Sequence, residues 1–353
     1  MSRVLGPVPP PPDSPEFAAL VEWETGEDEV HVARTADGWN LHLYRYLPRA
    51  GEDGERAPAR PPVVLGHGLC GTRYIFDVHP DYSLARYLAA EGFDVWLLDL
   101  RGRDESWPDG GPDLALQWTF DDFVEHDIPT ATEAVCTIAG AESCFWIGTE
   151  MSGIALYAIG IAGTAPRIRG GITMGSPVVT PPTAEVPGVT SALPEAVGTR
   201  YPFSMVSTFG PDLAAQGSDV LESSFRRVNT DWTVIARYFR YGVPDECTAI
   251  IEQFRDWMAG AAMRSVDGSV VYSDRLDEFT LPVLMLAAAA DLQRPPDAVE
   301  DAYGRIGSTD KTFVRVGVDA GFAVDYGHDD LVAGYHAPAE VFPRIAAWLD
   351  ERS

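Results

Sequence analysis

Cys144-Phe145-Trp146-Ile147-Gly148-Thr149-Glu150-Met151-Ser152-Gly153 is the stretch whose reading decides the fold. A continuous apolar run passes through a turn of the form small-x-apex-x-small into helical spacing. That is the signature of a strand–turn–helix elbow, which lifts one side chain above the end of a parallel sheet. The backbone doubles back there, so the positions two residues either side of the apex must be small. Gly148 and Ser152 meet this demand with Glu150 at the apex, whereas an apex at Ser152 would put Glu150 and Ile154 in the crowded places. The apex is therefore a carboxylate.

Working outward, continuous apolar runs predict buried strands over 63–69, 93–99, 143–149 and 168–174, with helices over 83–91, 120–137 and 153–161 between and after them. Strand, helix, strand without hairpin turns means parallel pairing. Upstream, 30–35 and 41–47 alternate about Asp37-Gly38 as a hairpin. After residue 178 the alternation breaks. Two helical stripes follow, one of Leu221, Phe225, Val228, Trp232, Ile235 and Phe239, the other of Cys247, Ile250, Ile251, Phe254, Trp257 and Met258. They read as core packing surfaces, the competing reading being that part of them lines a substrate cavity. Strands over 281–287 and 313–318, a helix over 296–304 and a closing helix over 341–349 resume the rhythm. The expected fold is α/β, a mostly parallel eight-stranded sheet flanked by helices. Its core would comprise 1–178 and 279–353, with a helical cap inserted at 179–278. Residues 1–17 are expected to be a poorly ordered arm, because prolines prevent regular pairing.

The 353 residues, 46% hydrophobic, suffice for a large core. With 53 acidic against 26 basic residues the formal charge is −27, and Lys311 is the only lysine. Such a surface repels phosphate backbones and anionic membranes, which excludes nucleic acid and membrane as expected partners. Cys70, Cys136, Cys144 and Cys247 form no CxxC pair and read as free, mostly buried thiols, and no metal site or cofactor is expected. No segment has a signal-peptide pattern or about 18 uninterrupted apolar residues, so a cytoplasmic protein is expected. Oligomeric state is not legible.

Ligands of parallel sheets gather at the carboxyl ends of the strands, where three chemical groups fall. Glu150 is one. Asp291 follows the strand over 281–287, and His328 lies in Asp325-Tyr326-Gly327-His328-Asp329-Asp330-Leu331 after the last strand. The chain order apex, acid, histidine is that of a catalytic triad. Histidine takes and returns protons near neutrality, and the acid fixes its tautomer. The competing role for Asp291 is a helix cap ahead of Pro295-Pro296. Two backbone N–H groups, those of Leu69 and Met151, are the candidate oxyanion donors, with Gly68 allowing close approach. His67 is expected to order that loop rather than act as a base.

His67-Gly68-Leu69-Cys70-Gly71, the segment Gly92 to Asp99 with Arg101-Gly102, Asp127-Ile128-Pro129, the elbow and Tyr326-Gly327-His328-Asp329-Asp330-Leu331 together resemble the α/β-hydrolase superfamily, closest to its acid-lipase and polyhydroxyalkanoate-synthase branch. The resemblance spans roughly 30–178 and 279–350. It implies Glu150, Asp291 and His328 as triad positions and Leu69 and Met151 as oxyanion donors. The departure is the apex, where those relatives carry serine or cysteine.

A carboxylate is already ionised at neutral pH, so His328 is left to activate water. Burial beside His328 is expected to leave Glu150 charged, pairing outweighing desolvation. Attack on an epoxide would form an ordinary ester on Glu150, as aspartate-apex members do by analogy. Attack on an ester would give a mixed anhydride, and a general-base role would form no bond. Tyr201, Tyr238 and Tyr241 are candidate donors to a leaving oxygen, against the plainer role of packing. The expectation is a cofactor-independent hydrolase of a neutral, largely apolar small molecule, ester or epoxide. The alternatives are a lyase, isomerase or cyclase using Glu150 as acid or base, and a binding protein that has lost its nucleophile. Retention of Asp291 and His328 argues against the last.

Overall fold

The computed structural model describes residues 9–49, 60–113, 115–178, 196–216, 221–259 and 262–353. Its strands are β1 (Glu29–Arg34), β2 (Asn40–Tyr46), β3 (Val63–Gly66), β4 (Val95–Asp99), β5 (Cys144–Thr149), β6 (Ile168–Met174), β7 (Arg200–Tyr201), β8 (Glu246–Cys247), β9 (Val283–Ala288) and β10 (Lys311–Val316). Eight of them form one sheet in the order β1-β2-β4-β3-β5-β6-β9-β10. The β1–β2 hairpin joins it antiparallel through β4, and every later pairing is parallel. The eight strands match those expected, with ends displaced by three residues at most.

Helices on both faces explain why β3, β4 and β5 are apolar without alternation: every residue of these strands is buried. The period of two survives in what each residue touches. Val64, Trp96 and Trp146 pack with the helices Ile128–Ala139 and Met151–Ala162, while Val63, Leu65, Val95, Leu97, Phe145 and Ile147 pack with Leu84–Ala90 and Phe342–Asp350. The helix expected over 120–137 is continuous to Ala139 but passes through a π-helical segment, Phe123–Asp127, just ahead of Pro129.

Two expectations are corrected. Residues 1–8 lie outside the described part, but from Pro15 the chain is no loose arm: Pro15–Val21 is a helix, capped by Ser14, whose hydroxyl accepts from the Phe17 N–H. Proline fits the first helical turn, where no N–H is needed. Phe17 is buried and stacks on Trp232.

The second correction concerns the insertion between β6 and β9, of which 179–195, 217–220 and 260–261 lie outside the described residues. The stripe from Leu221 to Phe239 is not one helix. Asp231 accepts from the Thr233 N–H and starts a new helix, Trp232–Tyr241, while 221–230 runs as turns. Asn229 and Asp231 favour such capping over helix interiors. A helix Val206–Gln216 was not anticipated, and the second stripe is the helix Thr248–Met258. The β7–β8 pair ties the insertion to the sheet end. Glu246, fully buried, accepts from Trp118 Nε1 at 3.1 Å and pairs with buried Arg103, whose Nε donates to the Gly71 carbonyl at 3.0 Å.

Candidate active site

The elbow forms where its steric pattern placed it. Glu150 has φ +46° and ψ −108°, a conformation rare for a residue with a side chain, and stands between β5 and the helix Met151–Ala162. A Cβ on Gly148 would lie 2.3 Å from the Ser152 carbonyl carbon, which is why glycine is required there. Ser152 points away from the apex and donates to the His67 carbonyl at 2.5 Å.

The Glu150 carboxylate occupies the place between the two candidate oxyanion donors. Its Oε2 accepts the N–H of Leu69 at 2.8 Å and of Met151 at 2.7 Å. Gly68 permits this closeness, since a Cβ there would lie 3.3 Å from both Cβ and Oε2 of Glu150. His67 orders the loop: it is fully buried, Nε2 accepts from the Leu100 N–H, and Nδ1 is 2.9 Å from the Gly68 carbonyl. Burial, with the nearby Arg103 charge, drives its pKa down to about 3, so it is a neutral ring with Nδ1 as the donor.

Asp291 and His328 are brought together. His328 Nδ1 donates to Asp291 Oδ2 at 2.7 Å. The other oxygen of Asp291 accepts the N–H groups of Gln293 and Arg294, and the helix Pro296–Arg305 starts from Pro295 with no side-chain cap, so the helix-cap role for Asp291 falls away. Gly175, at φ +61°, leaves room for this pair, because a Cβ there would sit 3.3 Å from Asp291 Oδ2 and His328 Cε1. The 221–230 turns strap both loops in place. The Ser224 carbonyl accepts the Asp329 N–H, the Ser223 carbonyl accepts from the Gln293 side chain, and buried Asp330 accepts from Gly327, Arg226 and Asn229.

Sequence reasoning missed Arg294. Its Nε donates to Glu150 Oε1 at 3.0 Å, and Nη2 contacts the same oxygen. The expected partner of Glu150 was His328, yet no hydrogen bond joins these two among the described residues. Burial works against the charged carboxylate, but Arg294 first, then the Leu69 N–H and His328, outweigh it and hold its pKa below the ordinary value. Burial also opposes a charged His328; Asp291, Asp329 and Glu150 overcome it and lift the pKa to about 9. Asp329, beside it, is pushed up to about 7 by burial, against the pull of His328. At neutral pH the site thus holds an imidazolium and a guanidinium facing a carboxylate anion.

Glu150, Leu69, Arg294, His328 and Asp329 line one cavity of about 350 Å³, whose remaining wall is largely apolar and includes Phe203, Tyr238, Ile251 and Phe254 from the insertion. Of the three tyrosines weighed from sequence, Tyr238 alone lines it. The Tyr201 hydroxyl accepts from Arg255, and that of Tyr241 donates to Glu22. The trio Asp37, Asp122 and His126, close enough together to hold a metal ion, lines no part of this cavity, and Arg101 already pairs with both carboxylates.

Comparison with known proteins agrees with this architecture. The bovine (Bos taurus) gastric triacylglycerol lipase is 31% identical over 146 residues, 39% of this chain and 36% of the lipase. The poly(3-hydroxyalkanoate) polymerase subunit PhaC of Haloarcula marismortui is 24% identical over 317 residues, 83% of this chain and 61% of that protein. The chain thus spans little more than a third of the length of the lipases it matches. An α/β hydrolase structure from Novosphingobium aromaticivorans superposes with a TM-score of 0.59 at 20% identity, covering 93% of this chain and 99% of that one, which is a likeness of fold. The family model described as serine aminopeptidase, S33, matches residues 57–316. The chain belongs to that family of α/β-hydrolase-fold proteins, with a glutamate at the apex where the family takes its name from a serine.

Proposed function

We propose that this protein is a hydrolase that opens an alkyl–oxygen bond, as in an epoxide, of an apolar small molecule through a covalent ester on Glu150. One observation carries the reading: Oε2 of Glu150 sits between the Leu69 and Met151 N–H groups. A substrate carbonyl finds that hole filled, which disfavours acyl attack in the manner of a serine enzyme. For a carboxylate nucleophile the same arrangement is productive. Oε1 attacks the substrate carbon, the C–O bond breaks, and the alkoxide takes a proton from the His328 imidazolium, with the Tyr238 hydroxyl as a second donor on the cavity wall.

His328 is then neutral. Esterification also removes the Glu150 charge, one of the influences that raised the His328 pKa. The ring, held by Asp291, takes a proton from water, whose oxygen attacks Cδ of the glutamyl ester. Oε2 becomes the oxyanion within donors already 2.7 and 2.8 Å away. Collapse expels the alcohol, protonated by His328, and leaves Glu150 as the acid, whose proton passes back to His328 to restore the carboxylate and the imidazolium. The likeness to lipases favours a second reading, hydrolysis of an ester by way of a mixed anhydride or with Glu150 as base, and it requires Glu150 to leave the hole.

A single turnover in ¹⁸O-labelled water separates the two. In the first reading the heavy oxygen enters Glu150 and the first-formed diol stays unlabelled, while brief exposure to an epoxide leaves an adduct of the intact epoxide mass on that residue. Glu150→Gln is expected to abolish turnover while melting cooperatively. Unchanged turnover in this variant removes Glu150 from the mechanism.

A further inference from the structure

Arg294 obstructs the reaction just described. Its Nε and Nη2 both meet Oε1 of Glu150, the oxygen whose lone pair would attack, while Oε2 is held by two N–H groups. A carboxylate bonded at both oxygens is a stable anion and a weak nucleophile. Withdrawing the guanidinium would part a pair whose side chains are only 12% and 6% exposed, leaving Arg294 without its carboxylate and Oε1 of Glu150 bare in a largely apolar cavity. Among the described residues the only other carboxyl on the wall is Asp329, whose pKa burial pushes up to about 7 and which is so a weaker partner for a guanidinium, while Asp291 is off the wall and committed to His328 and to the Gln293 and Arg294 N–H groups.

The cavity nevertheless has cation to spare. Arg255 lines it too, and among the described residues its side chain meets no carboxylate, only the Tyr201 hydroxyl and ring. On the cavity wall Arg294, Arg255 and His328 therefore stand against Glu150 and Asp329, the last of which burial pushes up to about 7. This occurs within a chain of formal charge −27.

We propose that the cavity takes an apolar carboxylic acid, whose carboxylate replaces that of Glu150 on Arg294 and so frees Oε1 beside the ligand. The exchange keeps one anion on one guanidinium, and the released Glu150 charge faces the His328 imidazolium. The seat is a carboxylate seat already, since a carboxylate oxygen fills it. Ile251, Phe254 and Met258 suit hydrocarbon for the rest of the ligand. A wholly neutral ligand, the one expected from the sequence, leaves Arg294 in place. Surface charge is screened beyond about 8–10 Å in physiological salt, whereas both arginines stand in the cavity itself. The part given to the freed Oε1, though not the carboxylate seat on Arg294, rests on Glu150 being the reacting group.

Calorimetric titration of the full chain with octanoate and with octanamide tests it, in wild type, in Glu150→Gln and in the Glu150→Gln/Arg294→Gln double variant, which leaves no orphaned charge in the site. Octanoate is expected to bind in preference to the amide. Glu150→Gln removes the internal competitor and is expected to bind octanoate about tenfold tighter or more, and the double variant to lose roughly ten- to a hundredfold of that. Equal binding of acid and amide to Glu150→Gln overturns the proposal. So does a carboxylate preference that survives in the double variant, including one then lost on Arg255→Gln, which would place the anion at Arg255 instead. Turnover is not read: acid binding without any Glu150 adduct leaves this proposal standing and removes the hydrolytic one, and an epoxide adduct without acid preference does the reverse.

Discussion

At the scale of single residues, the site is governed by how charge is shared across Glu150, Arg294, His328 and Asp291. His328 is the member whose titration reports on the rest. Its pKa in the fold is about 9 against an ordinary 6.5, so the stability it contributes is complete below pH 6.5 and is lost as pH rises through 9. Glu150 behaves oppositely: its depressed pKa contributes stability above the ordinary 4.5, lost as pH falls through the folded value. Denaturant unfolding is therefore expected to show wild type losing roughly 1–3 kcal/mol between pH 6.5 and 9, a loss that His328→Asn largely removes. An identical decline in the variant assigns it to other groups. On the proposed mechanism ring opening needs the imidazolium as donor, so its alkaline limb is expected above the ordinary histidine range, and Asp329→Asn, which removes a charge favouring the imidazolium, moves it down.

Legibility at this scale follows the range of the forces. The apex at Glu150 could be read because its demand is local and steric, with Gly148 and Ser152 two positions away. Asp291 and His328 were legible by chain order at strand ends. Arg294 was not, since its partner lies 144 residues away and only the course of the loop after Asp291 aims it. Its position three residues beyond Asp291, in a loop at a strand's carboxyl end, was the available signal.

At the scale of elements, the sheet was legible because burial on both faces writes itself as unbroken apolar runs, as in 63–66 and 144–149. The insertion was less so. Its stripe from Leu221 to Phe239 has helical spacing, but Asn229 and Asp231 interrupt the helix, and the preceding turns serve the His328 loop. The β7–β8 pair, two residues a side, is too short to leave a period. What holds it is the buried Glu246–Arg103 pair, which reaches the Gly71 carbonyl and so the loop that bears the Leu69 donor. Removing one charge leaves the other buried and unpaired. Glu246→Leu is expected to lose about 3–5 kcal/mol in urea unfolding, and the Glu246→Leu/Arg103→Met double variant to regain much of it. A single variant as stable as wild type would show the pair to be dispensable.

At the scale of the whole molecule, the excess of 27 negative charges makes the folded surface self-repelling. Buried pairs such as Glu246–Arg103 are insensitive to salt, whereas the surface field is not. Raising NaCl from about 10 mM to about 0.5 M is expected to raise the melting temperature by roughly 1–3 °C in calorimetry, through screening worth about 1–2 kcal/mol. No shift, or a fall, would show that surface ion pairs such as Arg352–Asp310 and Arg315–Glu300 offset the repulsion. Among the described residues no helix is long and apolar enough to cross a membrane.

The carboxylate lodged among the Leu69 and Met151 amides also bears on how such a protein is found. Fluorophosphonates and other phosphorylating probes capture serine enzymes because an apex hydroxyl displaces fluoride while the hole grips the phosphoryl oxygen. Here a carboxylate stands in the place of that hydroxyl and fills the space between the two amides, so surveys that tag hydrolases with these reagents are expected to pass this protein over, and on the proposed mechanism electrophilic alkylating probes are the ones suited to catch it.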